Sequence, residues 1–181
     1  MGYPYQFDDL VVIDLPSDER NALYQESTAH VVTQTAGGPV RYRYHSMVDL
    51  SEYADGSVDL VYSGQSIEHV PVEVADTVLA EVRRVLRPGG YLGLDTPNAR
   101  VTRLQQDEFI DPDHEHEYIH AELRDKLVRA GFEVVEAKGL NYAGSSLASG
   151  HFDADAVATA RGLFSAIEDC YLLAYVCRVP E

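Results

Sequence analysis

Asp55-Gly-Ser-Val-Asp-Leu-Val-Tyr-Ser-Gly-Gln-Ser-Ile-Glu-His-Val70 opens, and Arg87-Pro-Gly-Gly-Tyr-Leu-Gly-Leu-Asp-Thr-Pro-Asn98 closes, the stretch that decides the fold. The Asp55-Gly56 turn leads into a short apolar run, Val58-Asp-Leu-Val-Tyr62. Between about Val72 and Leu86, Val74, Val78, Val82 and Val85 recur at helical spacing, so one face of a helix is apolar. Pro88-Gly89-Gly90 is expected to end that helix, because proline and glycine favour such a terminus. Tyr91-Leu-Gly-Leu94 follows as a second buried strand. Strand, helix and strand in about 35 residues make a βαβ unit, which implies two parallel strands joined by a right-handed crossover. Ligands of open parallel sheets sit beyond the carboxyl ends of the strands. Those ends are Ser63-Gly-Gln-Ser-Ile-Glu-His69 and Asp95-Thr-Pro-Asn98, both polar.

Four words in this stretch, in this order, resemble the class I S-adenosylmethionine-dependent methyltransferases. They are Ser57-Val-Asp-Leu-Val61, Ser66-Ile-Glu-His-Val70, Glu81-Val-Arg-Arg-Val-Leu-Arg-Pro-Gly-Gly90 and Leu94-Asp-Thr-Pro-Asn98. The resemblance runs from about Val11 to Leu140 and returns at a final strand, Tyr171-Leu-Leu-Ala-Tyr-Val176. It implies an α/β fold: a Rossmann-like three-layer αβα sheet, mostly parallel, with an antiparallel last strand. It also implies S-adenosylmethionine as cofactor.

One family feature is absent. The family's first strand ends in a glycine-rich loop that lets the backbone approach the cofactor. Here the one glycine pair ahead of Asp55, Gly37-Gly38, precedes a strand. Either Leu10-Val-Val-Ile-Asp14 is the family's second strand and the first is missing, or it is the first strand with a degenerate loop, Leu15–Arg20. The second alignment leaves too few residues between His30–Gln34 and Val40 for a crossover helix, so the first is preferred. A sheet lacking its central strand is then completed by the N-terminal arm, by a second chain, or by a different pairing.

A chain of 181 residues is expected to form one domain around one core. Residues 1–10 read as an irregular arm. Pro16-Ser17-Asp18-Glu19 reads as a helix start, with Ser17 as N-cap and a helix to about Ala29. Val40–Tyr44 alternates like a strand. Ala99–Asp111 is polar, and Asp111–His120 reads as a charged, solvated loop. A helix over Ala121–Ala130 and a strand over Phe132–Glu136 follow. Residues 139–151 read as a loop and Asp153–Asp169 as a helix with Gly162 as its weak point; together, 139–169 form an insertion suited to a substrate lid. The formal charge of −16, from 30 acids and 14 bases, disfavours a nucleic-acid substrate. Arg83, Arg84 and Arg87 are read as a solvated face. No run is apolar enough to span a membrane and no signal peptide is read, so a cytoplasmic location is expected. Cys170 and Cys177 lie too far apart along one strand to bridge each other, and are read as reduced buried thiols.

The resemblance assigns Asp14 to the cofactor's ribose hydroxyls, with Leu15 beside it. Ser46 and Met47 stand where the family carries an acid near the adenine, with Asp49 close by. Ser63, Gly64 and Gln65 match the loop at the cofactor's amino-acid end. Some relatives bind a divalent metal through Glu-x-x-Glu-His and a later histidine. Here Gln65 replaces the first glutamate before Glu68-His69, which removes a charge, so a divalent metal is kept as the minority reading and no metal ligand is assigned. His69 and His114 are instead the candidate general bases for a hydroxyl substrate, set against a reading in which both merely tie down loops. His116 and His120, among Asp111, Asp113, Glu115 and Glu117, are assigned to the solvated loop. The expected activity is methyl transfer to a small molecule, with O-methylation favoured. The alternative is a truncated or cofactor-free methyltransferase-like protein acting as a structural or partner subunit. Either leaves room for homo-oligomers.

Overall fold

The computed structural model describes residues 6–16 and 33–181. They fall into two compact units, Met1–Asp49 and Leu50–Glu181.

In the first unit, β1 (Leu10–Asp14) runs parallel to β3 (Gly38–Tyr44), with Leu10 opposite Val40 and Asp14 opposite Tyr44. A two-residue strand, β2 (Gln34–Thr35), pairs antiparallel on the other side of β3, giving the order β1-β3-β2. The Thr35 hydroxyl holds this hairpin, accepting from Gly37 N at 3.2 Å and donating to Gly38 O at 3.1 Å. Direct parallel pairing of β1 with β3 is what the preferred alignment requires of the family's second and third strands. The helix expected between them, from Ser17 to about Ala29, lies outside the described residues.

The second unit holds a five-stranded sheet. Its elements are β4 (Val58–Gly64), α1 (Val72–Val85), β5 (Leu86–Pro97), α2 (Ala99–Gln105), α3 (His120–Arg129), β6 (Glu133–Tyr142), α4 (Gly144–Ser149), α5 (Ala154–Thr159), β7 (Leu163–Phe164) and β8 (Cys170–Arg178). The strand order is β4-β5-β8-β6-β7. β4 and β5 are parallel, as the βαβ reading requires, and the final strand β8 runs antiparallel to both β5 and β6.

The core follows from strand alternation. Leu92, Leu94 and Thr96 of β5 lie opposite Cys177, Tyr175 and Leu173 of β8, and all six are buried. α1 contributes Ala75, Val78, Leu79, Val82 and Val85, and α3 contributes Leu123 and Leu127. Each fully buried leucine is worth about 1.5–3 kcal/mol. Lys126 of α3 ties the two helices together, donating to Val72 O at 2.9 Å and to Asp76 at 2.6 Å. On the opposite parity, Leu60 and Tyr62 of β4 are 52% and 68% exposed. Among the described strands, β4 pairs only with β5.

Several local expectations are corrected. Helix α1 stops at Val85, and Leu86 is already extended (φ −71°, ψ 132°). The Pro88-Gly89-Gly90 turn belongs instead to β5, where pairing with β4 slips between Val58–Leu86 and Leu60–Tyr91. Gly89 takes φ +72° there, which a side chain would disfavour. The polar stretch after Asn98 contains α2, and the glycine-serine stretch contains the end of β6 and α4. The expected helix over 153–169 is only Ala154–Thr159, capped by Asp153, whose carboxylate accepts from Ala156 N at 2.9 Å. Gly162 takes φ +126° and turns the chain into β7, which pairs with β6. Arg84 is not on a solvated face. It donates to the carbonyls of Leu50 and Tyr53 at 3.0 and 2.9 Å, and to Glu81 and Asp55, so it clamps the chain entering β4.

Cys170 and Cys177 are buried free thiols, as expected. Burial, with Asp169 adding to it at Cys170, pushes their pKa values up to about 11 and about 12, which makes both weak nucleophiles. No helix of the described residues is long and apolar enough to cross a membrane.

Gly139 is where β6 passes closest to its neighbours. A Cβ there would stand 2.3 Å from Cys170 Cβ, 2.5 Å from its Sγ and 3.1 Å from Ile167 Cα. Gly139→Ala is therefore expected to destabilise the protein by about 1–3 kcal/mol or more, read as a lowered urea midpoint at unchanged m-value. An unchanged midpoint would mean that β8 yields freely at Cys170.

Candidate functional site

The site forms where the parallel strands β4 and β5 end. β4 runs out at Gly64, and Gln65 turns back with φ +49°, its N–H donating to Asp95 O at 3.0 Å. A single 3₁₀ turn, Ile67–His69, follows and buries Glu68 completely. Beside it, Thr96 continues the inward face of β5, and its hydroxyl donates to Glu68 Oε2 at 2.8 Å. Asn98 ends β5 and caps α2, accepting from Arg100 N at 3.2 Å while its amide donates to Glu168 O and Cys170 O at 3.0 and 2.8 Å.

The 111–118 segment is not a solvated loop, which corrects the sequence reading. Its backbone is fastened to the 3₁₀ turn: the N–H groups of Glu115 and His116 both donate to Glu68 O, at 2.8 and 3.1 Å. His114, Glu117 and Tyr118 are buried. The reason is the Glu117 carboxylate, which accepts from the Thr102 hydroxyl, from Ile110 N at 2.9 Å and from His114 Nδ1 at 2.8 Å. Three donors hold a charge that would otherwise keep the loop in water.

This folding brings His69 and His114 together, with ring centroids 4.8 Å apart at 80°. His69 Nδ1 lies 3.2 Å from Asp113 O, and His114 Nδ1 faces the Glu117 carboxylate. Both partners are acceptors, so each Nδ1 carries a hydrogen. Glu68 Oε1 is buried with no hydrogen-bond partner. One ligand atom from each of Glu68, His69 and His114 lies within 4.8 Å of the others. Burial raises the pKa of Glu68, partly offset by the Thr96 hydroxyl. Burial acts on Glu117 too, but there the donors Thr102, His114 and Ile110 outweigh it and hold the carboxyl below its ordinary value.

The other histidines go elsewhere. His116 Nε2 bonds Glu122 at 2.8 Å. His120 stacks on Tyr175, whose hydroxyl accepts from its Nδ1 at 2.7 Å. An open groove of about 630 Å³, lined by Asn98, Arg100, Arg103, Ile119, His120 and Glu168 among others, runs beside α2 and does not include His69 or His114.

The residues expected to hold cofactor divide between the units. In the first, Asp14 ends β1, exposed, with its carboxylate accepting from Leu15 N at 2.8 Å. Ser46 and Met47 form the turn after β3, where Ser46 O accepts from Asp49 N at 3.2 Å and from His45 Nδ1 at 3.0 Å. In the second, Ser63, Gly64 and Gln65 end β4. A Cβ on Gly64 would fall 2.8 Å from the Tyr62 ring. The Tyr62 hydroxyl donates to Asp95, which raises the tyrosine pKa to about 12, and Gln65 Nε2 donates to the same carboxylate at 2.5 Å. Each unit by itself carries a group that suits part of S-adenosylmethionine: in the first, the Asp14 carboxylate for vicinal hydroxyls; in the second, the side-chain-free backbone at Gly64. A ligand approaching Gly64 must first turn the Tyr62 ring away from Asp95.

Sequence reading gave Thr96 and Asn98 no role beyond ending a polar strand, and placed Glu117 in the solvated loop. Thr96 carried a usable signal, since it lies two residues after Leu94 and so on the same inward face. Glu117 carried none, because its partners Thr102, Ile110 and His114 precede it at irregular spacings and meet it only in the folded loop.

Comparison with known proteins agrees with this architecture. A family model described as a methyltransferase domain matches residues 6–94. A probable S-adenosylmethionine-dependent methyltransferase of Mycolicibacterium smegmatis is 36% identical over 126 residues, covering 69% of this chain and 47% of the relative. One from Mycobacterium tuberculosis is 36% identical over 113 residues, covering 59% and 40%. The chain thus spans less than half the length of these relatives. The crystal structure of a methyltransferase from Archaeoglobus fulgidus, 14% identical, superposes with a TM-score of 0.61 over 97% of this chain and 88% of that one, a likeness of fold alone. The matched residues include the words between Ser57 and Gly90 that close the strand-helix-strand unit, and the chain belongs to the class I S-adenosylmethionine-dependent methyltransferase family.

Proposed function

We propose that this protein transfers a methyl group from S-adenosylmethionine to a hydroxyl oxygen of a small molecule. The observation that carries the reading is the pair of imidazoles, His69 and His114, held by their Nδ1 atoms at the carboxyl end of the sheet. A hydroxyl must lose its proton as it attacks carbon, and an imidazole Nε2 takes up a proton near neutral pH. His69 is the less buried of the two and is assigned as the base. His114, tied to Glu117, flanks it and orients the loop. When bound, the cofactor supplies an electrophilic methyl on a sulfonium. Asp14 and the Ser63–Gln65 backbone would hold it, and the protein's part is positioning and exclusion of water.

The test is calorimetric titration of the 181-residue chain with S-adenosylmethionine, paired with transfer of labelled methyl to phenols, alcohols, amines and thiols. Micromolar binding that weakens about 10–100-fold in Asp14→Ala, with label on hydroxyl acceptors, is the expected result. Absence of binding at millimolar ligand by folded chain refutes it. The second reading, a methyltransferase-like partner subunit, draws on Leu60 and Tyr62, both exposed on a strand paired on one side among the described strands. It would be recognised by complex formation with no cofactor bound.

A further inference from the structure

We infer that the groove beside α2 is a binding site for a small apolar molecule that carries a carboxylate. Its volume, about 630 Å³, is that of a small-molecule site, and all of its lining comes from the second unit. A second hollow of about 270 Å³, lined by Ser165–Asp169, shares His120 and Glu168 with it. Two kinds of surface meet in the groove. One is apolar: Ala99 and Ala121 line it, and Ile119 is 47% exposed there. An apolar ligand laid on Ile119 removes that surface from water. The other is cationic. Arg100 and Arg103 stand three residues apart on α2, so they share one helix face, and both line the groove.

The two arginines are not equivalent. Arg100 is already neutralised, 3.1 Å from Asp169 and 3.5 Å from Glu168. Arg103 has no carboxylate partner among the described residues; its one hydrogen bond goes to Asp107 O at 3.2 Å. In a chain of net charge −16, that guanidinium is the local feature able to hold an anion at an apolar surface. Its place is fixed by stacking, with the guanidinium carbon 4.6 Å from the centre of the Phe109 ring. The opposite wall is fixed as well. His120 stacks on Tyr175, and the Tyr175 hydroxyl that accepts from Nδ1 also donates to His120 O at 3.0 Å. Burial lowers the His120 pKa and Glu168 only partly offsets it, so this imidazole adds no charge near neutral pH. The charge that an anion meets is therefore that of Arg103. A guanidinium takes carboxylate or phosphate through two parallel bonds. The apolar lining decides between them, because inorganic phosphate has nothing to lay on Ile119. The site uses neither His69 nor the cofactor, so the inference stands whether or not the chain transfers methyl groups.

The experiment is titration of the isotope-labelled 181-residue chain with benzoate, its neutral analogue benzamide, and inorganic phosphate, followed by amide chemical shifts and calorimetry. Benzoate is expected to shift the amides of Ala99, Arg103, Ile119, His120 and Ala121 with a dissociation constant of about 1 mM or tighter. Benzamide and phosphate should bind at least about tenfold more weakly. Arg103→Gln should bring benzoate down to the level of benzamide. Ile119→Ser supplies the side-chain cap that α3 lacks, so it keeps the helix, yet it should weaken benzoate about 3–10-fold. Arg129→Gln, at the far end of α3, should change nothing. The amide spectrum of each variant reports its fold, and the comparison of benzoate with benzamide needs no variant at all. Groove amides that stay still at about ten times the expected dissociation constant overturn the proposal. So does benzamide bound as tightly as benzoate, phosphate shifting the same amides at the same concentration, or benzoate binding that survives Arg103→Gln.

Discussion

Alanine at His69 is expected to lower methyl transfer to a hydroxyl acceptor by about 10²–10⁴-fold, the usual contribution of a positioned proton acceptor. The 3₁₀ turn Ile67–His69 places His69 immediately after buried Glu68, and Asp113 O fixes its ring by accepting from Nδ1. Removing the ring deletes the Nε2 lone pair and leaves Asp113 O to water or to the loop. Asp14 and Ser63–Gln65 themselves are unaltered, so the dissociation constant for S-adenosylmethionine should stay within about twofold while kcat falls. A thiol acceptor, already ionised in part near neutrality, should be spared most of the loss. Equal losses on thiol and hydroxyl acceptors, or a rate unchanged from wild type, would remove His69 from the chemistry.

The second large effect is on stability. Glu117→Ala is expected to cost about 3–5 kcal/mol, because it removes a buried charge from partners that remain buried. Thr102, Ile110 N and His114 all donate to this one carboxylate, which is only 4% exposed as a residue. Without it, three donors lose their acceptor where water enters poorly. The pH dependence has a definite sign. The donors hold the folded-state pKa of Glu117 below its ordinary 4.5. Below that ordinary value the unfolded chain binds a proton that the folded chain refuses. The stabilisation is therefore complete above about pH 4.5 and is lost as pH falls through the folded pKa. Glu117→Gln should flatten this part of the acid limb of the unfolding profile, measured by urea midpoints from pH 7 down to pH 3. A midpoint for Glu117→Ala within 0.5 kcal/mol of wild type, as for an ordinary surface change, would show that the 111–118 loop is held by its backbone bonds alone.

The words between Asp55 and Asn98 were sufficient to specify the parallel β4-α1-β5 unit. Its signals are local: an apolar run, valines at helical spacing, and polar strand ends. The pairing of Leu10–Asp14 with the Val40–Tyr44 strand was likewise legible, because the chain between other candidates is too short for a crossover. The sequence also marked His69 and His114 as residues of interest. It could not place them together, since 44 residues separate His69 from its partner Asp113. It misread the charged run 111–117 as solvated, because composition says nothing about where a carboxylate finds its donors. It misread the 153–169 pattern as one helix, because an apolar spacing is blind to a positive φ at Gly162. Tertiary structure alone decided that Glu68 is buried beside Thr96, that Glu117 draws a charged loop into the core, and that His69 and His114 meet near a buried Glu68 oxygen with no hydrogen-bond partner. The physical reason is reach: helix and strand periodicity are written in neighbours, whereas a buried charge is tolerated only through donors that long-range packing brings to it.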